Sequence, residues 1–148
     1  MARRVFFSFH YQRDIFRVNQ IRSIPSITGT AAAGFQDASL WEEAKKKGRA
    51  AIEKMIDDGL SNTTVTVVLI GNQTAGRQYI NYEIEKSIER GNGVVGIQIA
   101  HLIGHDMSSD TQGATPRLLA DGGFKVYKYV DHEKLAARIE EAAKAAGK

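Results

Sequence analysis

Residues 64–70 read TVTVVLI, the most strand-like stretch of the 148-residue chain. Most of these side chains are β-branched and none is charged, which favours an extended strand. Gly71 and Asn72 follow directly and are typical of a turn that ends a strand. Because an apolar run without polar alternation is typical of strands covered on both faces, we predict a buried central strand of a parallel sheet.

Strand and helix patterns alternate on both sides of this stretch. Residues 5–9 predict a short, aromatic-rich strand, and residues 12–24 have a helical spacing that Pro25 closes. A weak strand within residues 28–35 follows, and then a helix with an apolar face from Ala44 to Ile56 and Gly59 as its C-cap. The helix after the central strand is marked by Ile80, Ile84 and Ile88 and ends near Gly91. The remaining predicted elements are strands over 94–99 and 124–130, a loop over 101–123 between them, and a last helix capped by Asp131.

This alternation indicates one α/β domain. Buried strands that alternate with helices are typical of a parallel sheet flanked by helices. Five strands favour a flavodoxin-like doubly wound sheet, with strand order 2-1-3-4-5 and helices on both faces. We assign residues 1–148 to a single domain, since domains commonly have about 100–200 residues. Ligands of such sheets bind beyond the carboxyl ends of the strands, which places the segments after strands one, three and four at the candidate site.

The composition is that of an ordinary globular protein, with 43% hydrophobic and 25% charged residues and a net charge of +3. The lack of cysteine excludes a disulfide scaffold, a cysteine-ligated metal centre and a thiol nucleophile. The apolar runs fall short of the roughly 18 residues that suggest a membrane span. The charged N-terminus leads into a strand that is too short for the core of a signal peptide. We therefore expect a cytoplasmic protein without a membrane partner.

Two literal motif matches lack the context that their chemistry needs. Residues 91–96 read G-x-G-x-x-G, but they follow a predicted helix and open a strand, whereas a dinucleotide-binding loop follows a strand and opens a helix. His101 and His105 have the spacing of a metal-binding pair only within a helix, and Gly104 disfavours a helix there. We predict no metal site and leave the roles of both histidines open.

The residues at the ends of the predicted strands and the lack of a basic, aromatic surface disfavour two classes of protein. A response-regulator-like phosphoacceptor needs an acidic cluster after strand one and an aspartate after strand three. This chain has Ser-Phe-His at residues 8–10 and Ile-Gly-Asn at residues 70–72. A nucleic-acid-binding protein needs interleaved basic and aromatic side chains, and no segment has them. We therefore expect no nucleic acid partner.

The helix after the central strand carries two candidate carboxylates. Glu83 and Glu85 lie about equally far from the isoleucine stripe, on opposite sides of it, so the helical period does not choose between them. Glu83 lies nearer the start of the helix and hence nearer the predicted site, which favours it slightly. His10 directly follows strand one at the same edge, where a structural and a functional role both remain open.

Four segments combine in an order that carries a family resemblance. They are RVFFSFHY at residues 4–11 followed by Asp14, Trp41-Glu42 at the head of the second helix, VVLIG at residues 67–71 with Thr74, and RQYINYEI at residues 77–84. With these segments the chain resembles the TIR-like proteins of the bacterial Thoeris anti-phage system, the ThsB-like proteins. TIR domains usually have Trp four residues before the catalytic glutamate. Here Tyr79 stands at that spacing before Glu83.

The resemblance implies an enzyme that consumes NAD⁺ and makes a cyclic ADP-ribose-type signal on infection. A separate effector would respond to that signal, and the phage-derived trigger and the identity of the product stay open. Glu83 is carried over as the catalytic residue. NAD⁺ is implied as the substrate, with no cofactor and no metal. The substrate-binding candidates are Phe9, His10, Tyr11, Gly71, Asn72, Thr74, Arg77, Tyr79 and Tyr82.

Alternatives remain for single residues and for the function. Packing in the core is the competing interpretation for Phe6 and Phe9, and Arg77 can either meet the pyrophosphate or simply begin its helix. The competing function is a non-catalytic TIR-like adaptor that acts by protein–protein association. Glu83 with an aromatic residue four positions earlier favours the enzyme. The sequence leaves a homo-oligomer open.

Overall fold

The computed structural model describes residues 3–21, 27–28, 44–104 and 107–148. Within these ranges, strands and helices alternate along the chain. The strands are β1 (Arg3–Ser8), β2 (Ile27–Thr28), β3 (Val65–Ile70), β4 (Gly93–Gln98) and β5 (Val126–Lys128). The helices are α1 (Tyr11–Asn19), α2 (Arg49–Leu60), α3 (Gln78–Glu89), α4 (Arg117–Asp121) and α5 (His132–Ala145). None of them is long and apolar enough to cross a membrane.

Four strands form a parallel sheet with β3 inside it. β1 pairs with β3, β3 with β4, and β4 with β5, and all three pairings are parallel. This confirms the predicted α/β fold with a parallel sheet. Ile27 and Thr28 pair in parallel with Arg3 and Arg4. The rest of the predicted strand over residues 28–35 lies outside the described residues, so the five-stranded order stays a prediction.

β3 is the centre of the hydrophobic core, as its sequence predicts. All six of its residues are buried. Val65, Val67 and Leu69 belong to one apolar cluster, and Val68 and Ile70 belong to a second cluster with Ile80 and Ile84 of α3. Because side chains alternate between the two faces of a strand, β3 supplies apolar contacts to both sides of the sheet.

Two of the predicted helix ends show what local sequence does and does not decide. The carboxylate of Asp131 accepts a hydrogen bond of 2.8 Å from the backbone N–H of Lys134, so the predicted N-cap of α5 is confirmed. The predicted C-cap at Gly59 is wrong, because α2 continues to Leu60. Asn62 takes the positive φ of 67° that a glycine would usually supply.

The last third of the chain departs from the predicted boundaries. The predicted loop over residues 101–123 contains the short helix α4. β5 has three residues, whereas a strand over 124–130 was predicted. Val126, Tyr127 and Lys128 pair with residues 96–98 of β4, and the flanking Lys125 and Tyr129 each add one backbone hydrogen bond to β4.

The sheet brings three connecting segments to one edge. The carboxyl ends of β1, β3 and β4 lead into residues 9–10, 71–77 and 99–116, respectively. Helix α3 packs against β1, β3 and β4. The first turns of α3 therefore lie beside the edge where ligands of parallel sheets bind.

Candidate active site

A buried hydrogen bond joins the end of β1 to the first half of α3. The hydroxyl of Ser8 donates to Oε1 of Glu83 over 2.6 Å. Ser8 is fully buried and Glu83 is 5% exposed. Glu85, the other candidate carboxylate, is exposed. Tertiary packing thus distinguishes Glu83 from Glu85, which the helical period could not do. The side chain of Glu83 is the one that faces the sheet.

Burial controls the charge of Glu83. Loss of hydration raises the pKa of its carboxyl to about 8, and the hydrogen bond from Ser8 opposes this rise. The carboxyl is therefore mainly protonated at pH 7. A positive charge placed beside this carboxyl favours its ionised form.

A chain of buried polar groups fixes the helical turn that carries Glu83. The Ser87 hydroxyl donates to the carbonyl of Glu83 over 2.7 Å. Because that proton is committed, the 2.6 Å contact between Ser87 and Thr66 makes Thr66 the donor. The side-chain amide of Asn92 donates to Thr66 in turn, over 3.3 Å. All three hydroxyl and amide groups are buried, so they tie α3 to β3 at a defined height.

The segment after β1 supplies one buried and one half-buried candidate. Phe9 is 5% exposed and belongs to the core, which is its competing interpretation from the sequence. His10 is half-buried directly before α1. Burial lowers the pKa of His10, and the positive charges of Arg77, Arg13 and Lys45 lower it further, so the ring is neutral at pH 7. The side chain of Tyr11 lies outside the described residues.

The loop after β3 is shaped by a short internal hydrogen bond. The backbone N–H of Gly71 donates to the buried hydroxyl of Thr74 over 2.8 Å. A side chain at position 71 would overlap the carboxylate of Asp14, so the close approach of α1 requires glycine. The Asn72 amide donates to the carbonyl of Thr111 over 2.7 Å and links this loop to the one after β4.

Arg77, Tyr79 and Tyr82 lie at different depths around α3. Arg77 is exposed and donates to the backbone and side-chain oxygens of Gln73, each over 3.0 Å, so both of its predicted roles remain open. Tyr79 is half-buried against the core. The Tyr82 hydroxyl donates to Asp57 on α2 over 3.0 Å. Burial first and Asp57 second raise the pKa of Tyr82 to about 12.

A charged cluster that the sequence patterns do not predict lies between α1 and the loop after β4. Arg13 makes two hydrogen bonds of 2.8 Å to the carboxylate of Asp110. Arg17 is 3% exposed and lies 3.3 Å from Asp14. Burial raises the pKa of Asp14 to about 6, although Arg17 opposes the shift. The i, i+3 and i+4 spacing within α1 signals part of this cluster, but no local pattern points to Asp110.

Neither His101 nor the cavity between β4 and α5 extends this site. His101 bonds to the carbonyl of Tyr129 over 2.8 Å, and His105 lies outside the described residues. In the part of the chain that the structure describes, no three His, Cys, Asp or Glu side chains are grouped to hold a metal ion. A cavity of about 230 Å³ lies at the opposite edge of the sheet, between the start of β4 and the end of α5.

Fold and site together define a parallel α/β domain with a buried, protonatable glutamate beside the carboxyl end of its first strand. Comparison with known families adds a match to the family described as "Thoeris protein ThsB, TIR-like domain" over residues 6–102. That range runs from β1 through β4 and includes Glu83. The chain belongs to this ThsB TIR-like family.

A curated relative from Bacillus cereus (strain MSX-D12) is 55% identical over 101 residues, or 67% of this chain. It is named "Putative cyclic ADP-D-ribose synthase ThsB1". The match covers 53% of that protein, so the chain spans about half the length of this relative.

Proposed function

We propose that this protein is an NAD⁺-consuming TIR-like enzyme of bacterial anti-phage defence, with a flavodoxin-like sheet of order 2-1-3-4-5. It cleaves the nicotinamide–ribose bond and releases a cyclic ADP-ribose-type signal that activates a separate effector. The name of the Bacillus cereus relative supports the reaction class. The observation that carries the proposal is the buried carboxyl of Glu83, held by Ser8 at the edge where ligands of parallel sheets bind.

The bond that breaks joins C1′ of the ribose to the nicotinamide nitrogen. Nicotinamide leaves with the bonding electron pair as a neutral molecule, so no strong general acid is needed. Positive charge develops on the ribose, as in glycoside cleavage. A carboxylate that faces this sugar stabilises the developing charge in a site from which water is largely excluded. Glu83 has this role in the proposal.

The raised pKa of Glu83 fits a carboxylate that ionises when substrate binds. Without substrate, the pKa of about 8 keeps most of the carboxyl protonated at pH 7. The nicotinamide ring of NAD⁺ is positively charged, and an opposite charge within about 4–6 Å favours the ionised form. Binding therefore releases the proton to solvent. The negative charge is then in place when the positive charge moves from the ring to the ribose.

The group that captures the ribosyl cation decides the product. Water adds its oxygen to C1′, loses a proton and gives ADP-ribose. An atom in the adenosine half of the same molecule can instead donate its electron pair to C1′, which gives a cyclic product and also releases one proton. Aromatic side chains that exclude water favour the second outcome. Tyr11, Tyr79 and Tyr82 are the candidates for this role on the segments around Glu83.

The remaining candidates bind the other parts of NAD⁺ in this proposal. The neutral ring of His10 can stack or accept a hydrogen bond without repelling a positively charged ligand. Arg77 is an exposed cation at the start of α3 and suits the pyrophosphate. Gly71 and Thr74 shape the loop after β3, and Asn72 connects it to the loop after β4.

A non-catalytic adaptor is the alternative function. An adaptor binds its partners through exposed groups, whereas Glu83 is 5% exposed and bonded inside the domain. A buried ionisable group is costly unless paired, which favours a chemical role over a docking role.

Product analysis tests the proposal directly. Cells that express the protein are infected, and their small molecules are separated and identified by mass spectrometry. We expect loss of NAD⁺, release of nicotinamide and an ion with the mass of a cyclic ADP-ribose. Protection from phage without any change in NAD⁺ or nicotinamide would favour the adaptor.

A further inference from the structure

We propose that Ser8 is a positioning residue that orients the carboxyl of Glu83 and stabilises its ionised form during NAD⁺ cleavage. The inference rests on the proposed function of Glu83. It adds a residue from β1 to a site that the sequence assigned to α3 and to the connecting segments.

The geometry of the bond carries this inference. Ser8 interrupts the apolar run of residues 5–9, and its side chain points to the opposite face from those of Phe7 and Phe9. A buried hydroxyl is costly unless it is hydrogen-bonded. The bond that satisfies this hydroxyl is the 2.6 Å contact with Oε1 of Glu83, which lies at the short end of the range for O–H···O bonds.

A serine hydroxyl suits both charge states of the glutamate. It donates one hydrogen bond and accepts two, and it can rotate about its Cβ–Oγ bond. When Glu83 is ionised, Ser8 donates to it. When Glu83 is protonated, the same oxygen can accept the carboxyl proton. Ser8 therefore holds Glu83 in place while the charge changes, and it favours the ionised form because bonds to a charged acceptor are stronger.

The charged groups around α3 leave Ser8 as the main local control on Glu83. Helix α3 packs against β1, β3, β4, α2 and α4, and neither β3 nor β4 has a charged side chain. Burial raises the pKa of Glu83, and the hydrogen bond from Ser8 lowers it. The described charged or titratable groups on the other neighbours and on α3 itself are Arg4 on β1, His10 after it, Arg49, Glu53, Lys54, Asp57 and Asp58 on α2, Arg117 and Asp121 on α4, and Arg77, Tyr79, Tyr82, Glu85, Lys86, Glu89 and Arg90 at or on α3.

The chain offers a matched control at Ser87. Ser87 is also a fully buried serine between α3 and the sheet, and it is bonded to the same residue. Its hydroxyl donates to the backbone carbonyl of Glu83, whereas that of Ser8 donates to the carboxyl. Ser8→Ala and Ser87→Ala each remove one buried hydroxyl, but only the first touches the group that titrates.

The experiment measures kcat/KM for NAD⁺ cleavage against pH, because its acid limb reports groups of the free enzyme. Ser8→Ala loses a hydrogen bond to a charged group, and the free energy of that bond corresponds to a shift of the acid limb to higher pH by about one unit. We therefore expect kcat/KM at pH 7 to fall about tenfold. In Ser87→Ala the limb stays at the wild-type pH. Ser8→Cys replaces the hydroxyl with the somewhat larger thiol, which is a weaker donor, and gives a smaller shift in the same direction. A wild-type acid limb in Ser8→Ala overturns the inference.

Carbon-13 NMR of labelled protein tests the same claim without activity or a Ser8 variant. The carboxyl resonance that disappears in Glu83→Gln is followed against pH in the wild-type protein. We expect the Ser8 Cβ resonance to shift with the same midpoint, and a Ser8 resonance that ignores this titration overturns the inference. If Glu83→Gln still cleaves NAD⁺, the proposed function fails instead. The two failures are therefore distinguishable.

Discussion

Arg13 and Asp110 form a two-bond ion pair, with both N–O distances at 2.8 Å. The pair joins α1 to the loop after β4 across 97 residues of sequence. Arg17 reaches the same carboxylate at 3.6 Å and donates to the carbonyls of Leu102 and Ser108. The two arginines thus hold one wall of the candidate site against α1.

Replacing Arg17 with methionine should destabilise the protein by about 3–5 kcal/mol, because it leaves the fully buried carboxylate of Asp14 without its positive partner. Urea unfolding measures this change. Arg117→Met is the control, since its pair with Asp121 is exposed and should cost less than about 1 kcal/mol. Adding Asp14→Asn to Arg17→Met should restore part of the loss. Equal stabilities of the two single variants would contradict this account.

The stability of the protein should fall as pH rises through the titration of Glu83. The pKa of this group is 4.5 in a model peptide and about 8 in the folded protein, so the folded state binds more protons between these values. The stabilisation is complete below about pH 4.5 and is lost as pH rises toward 8. The free energy of unfolding of the wild-type should therefore fall relative to that of Glu83→Gln, by up to about 1.4 kcal/mol per pH unit.

Chemical unfolding of both proteins at several values between pH 5 and pH 8.5 measures this difference, with pH steps chosen to cover the window of the pKa shift. Asp14, whose pKa is raised to about 6, contributes in the same direction at lower pH, but it is present in both proteins and cancels. If the free energies of unfolding of wild-type and Glu83→Gln change with pH in parallel, Glu83 is ionised in the folded state over this whole pH range.

Tyr82→Phe should weaken the contact between α3 and α2 and leave NAD⁺ cleavage close to wild-type. The variant removes the hydroxyl that donates to Asp57 and keeps the ring. The loss of one hydrogen bond costs about 0.5–1.5 kcal/mol, which thermal unfolding detects. Unchanged stability together with a loss of product would show that this hydroxyl contacts substrate instead of Asp57.

Local sequence patterns predicted the elements whose structure depends on residues that are close in the sequence. The run over residues 64–70 predicted a central strand because seven adjacent apolar or β-branched side chains suit burial on both faces. Asp131 predicted the start of α5 because a cap needs only the next three backbone N–H groups. The predicted C-cap at Gly59 is wrong because the turn after α2 is made by Asn62, a residue that also tolerates a positive φ.

Tertiary contacts decided what the sequence left open in the site. Glu83 and Glu85 are equivalent on a helical wheel, and only the packing of α3 on β1 buries the first and exposes the second. Asp110 carries no local signal, since its partner Arg13 lies 97 residues away. The roles of the substrate-binding candidates in the proposed reaction stay predictions.

The comparison of Glu83→Gln with Glu85→Gln tests the central claim most directly. Glutamine keeps the size of the side chain and can still bond to Ser8, but it cannot carry the negative charge that faces the ribose in the proposed mechanism. Loss of one preorganised electrostatic group typically lowers the rate by a factor on the order of 10²–10³. Glu85 is exposed on the same helix and serves as the matched control.

The measurement is nicotinamide released from NAD⁺ in infected cells that express wild-type, Glu83→Gln or Glu85→Gln protein at equal levels. We predict that Glu83→Gln abolishes detectable nicotinamide, the cyclic product and protection from phage, while Glu85→Gln retains all three. Nicotinamide release and protection at wild-type levels in Glu83→Gln would contradict the enzymatic role of this glutamate.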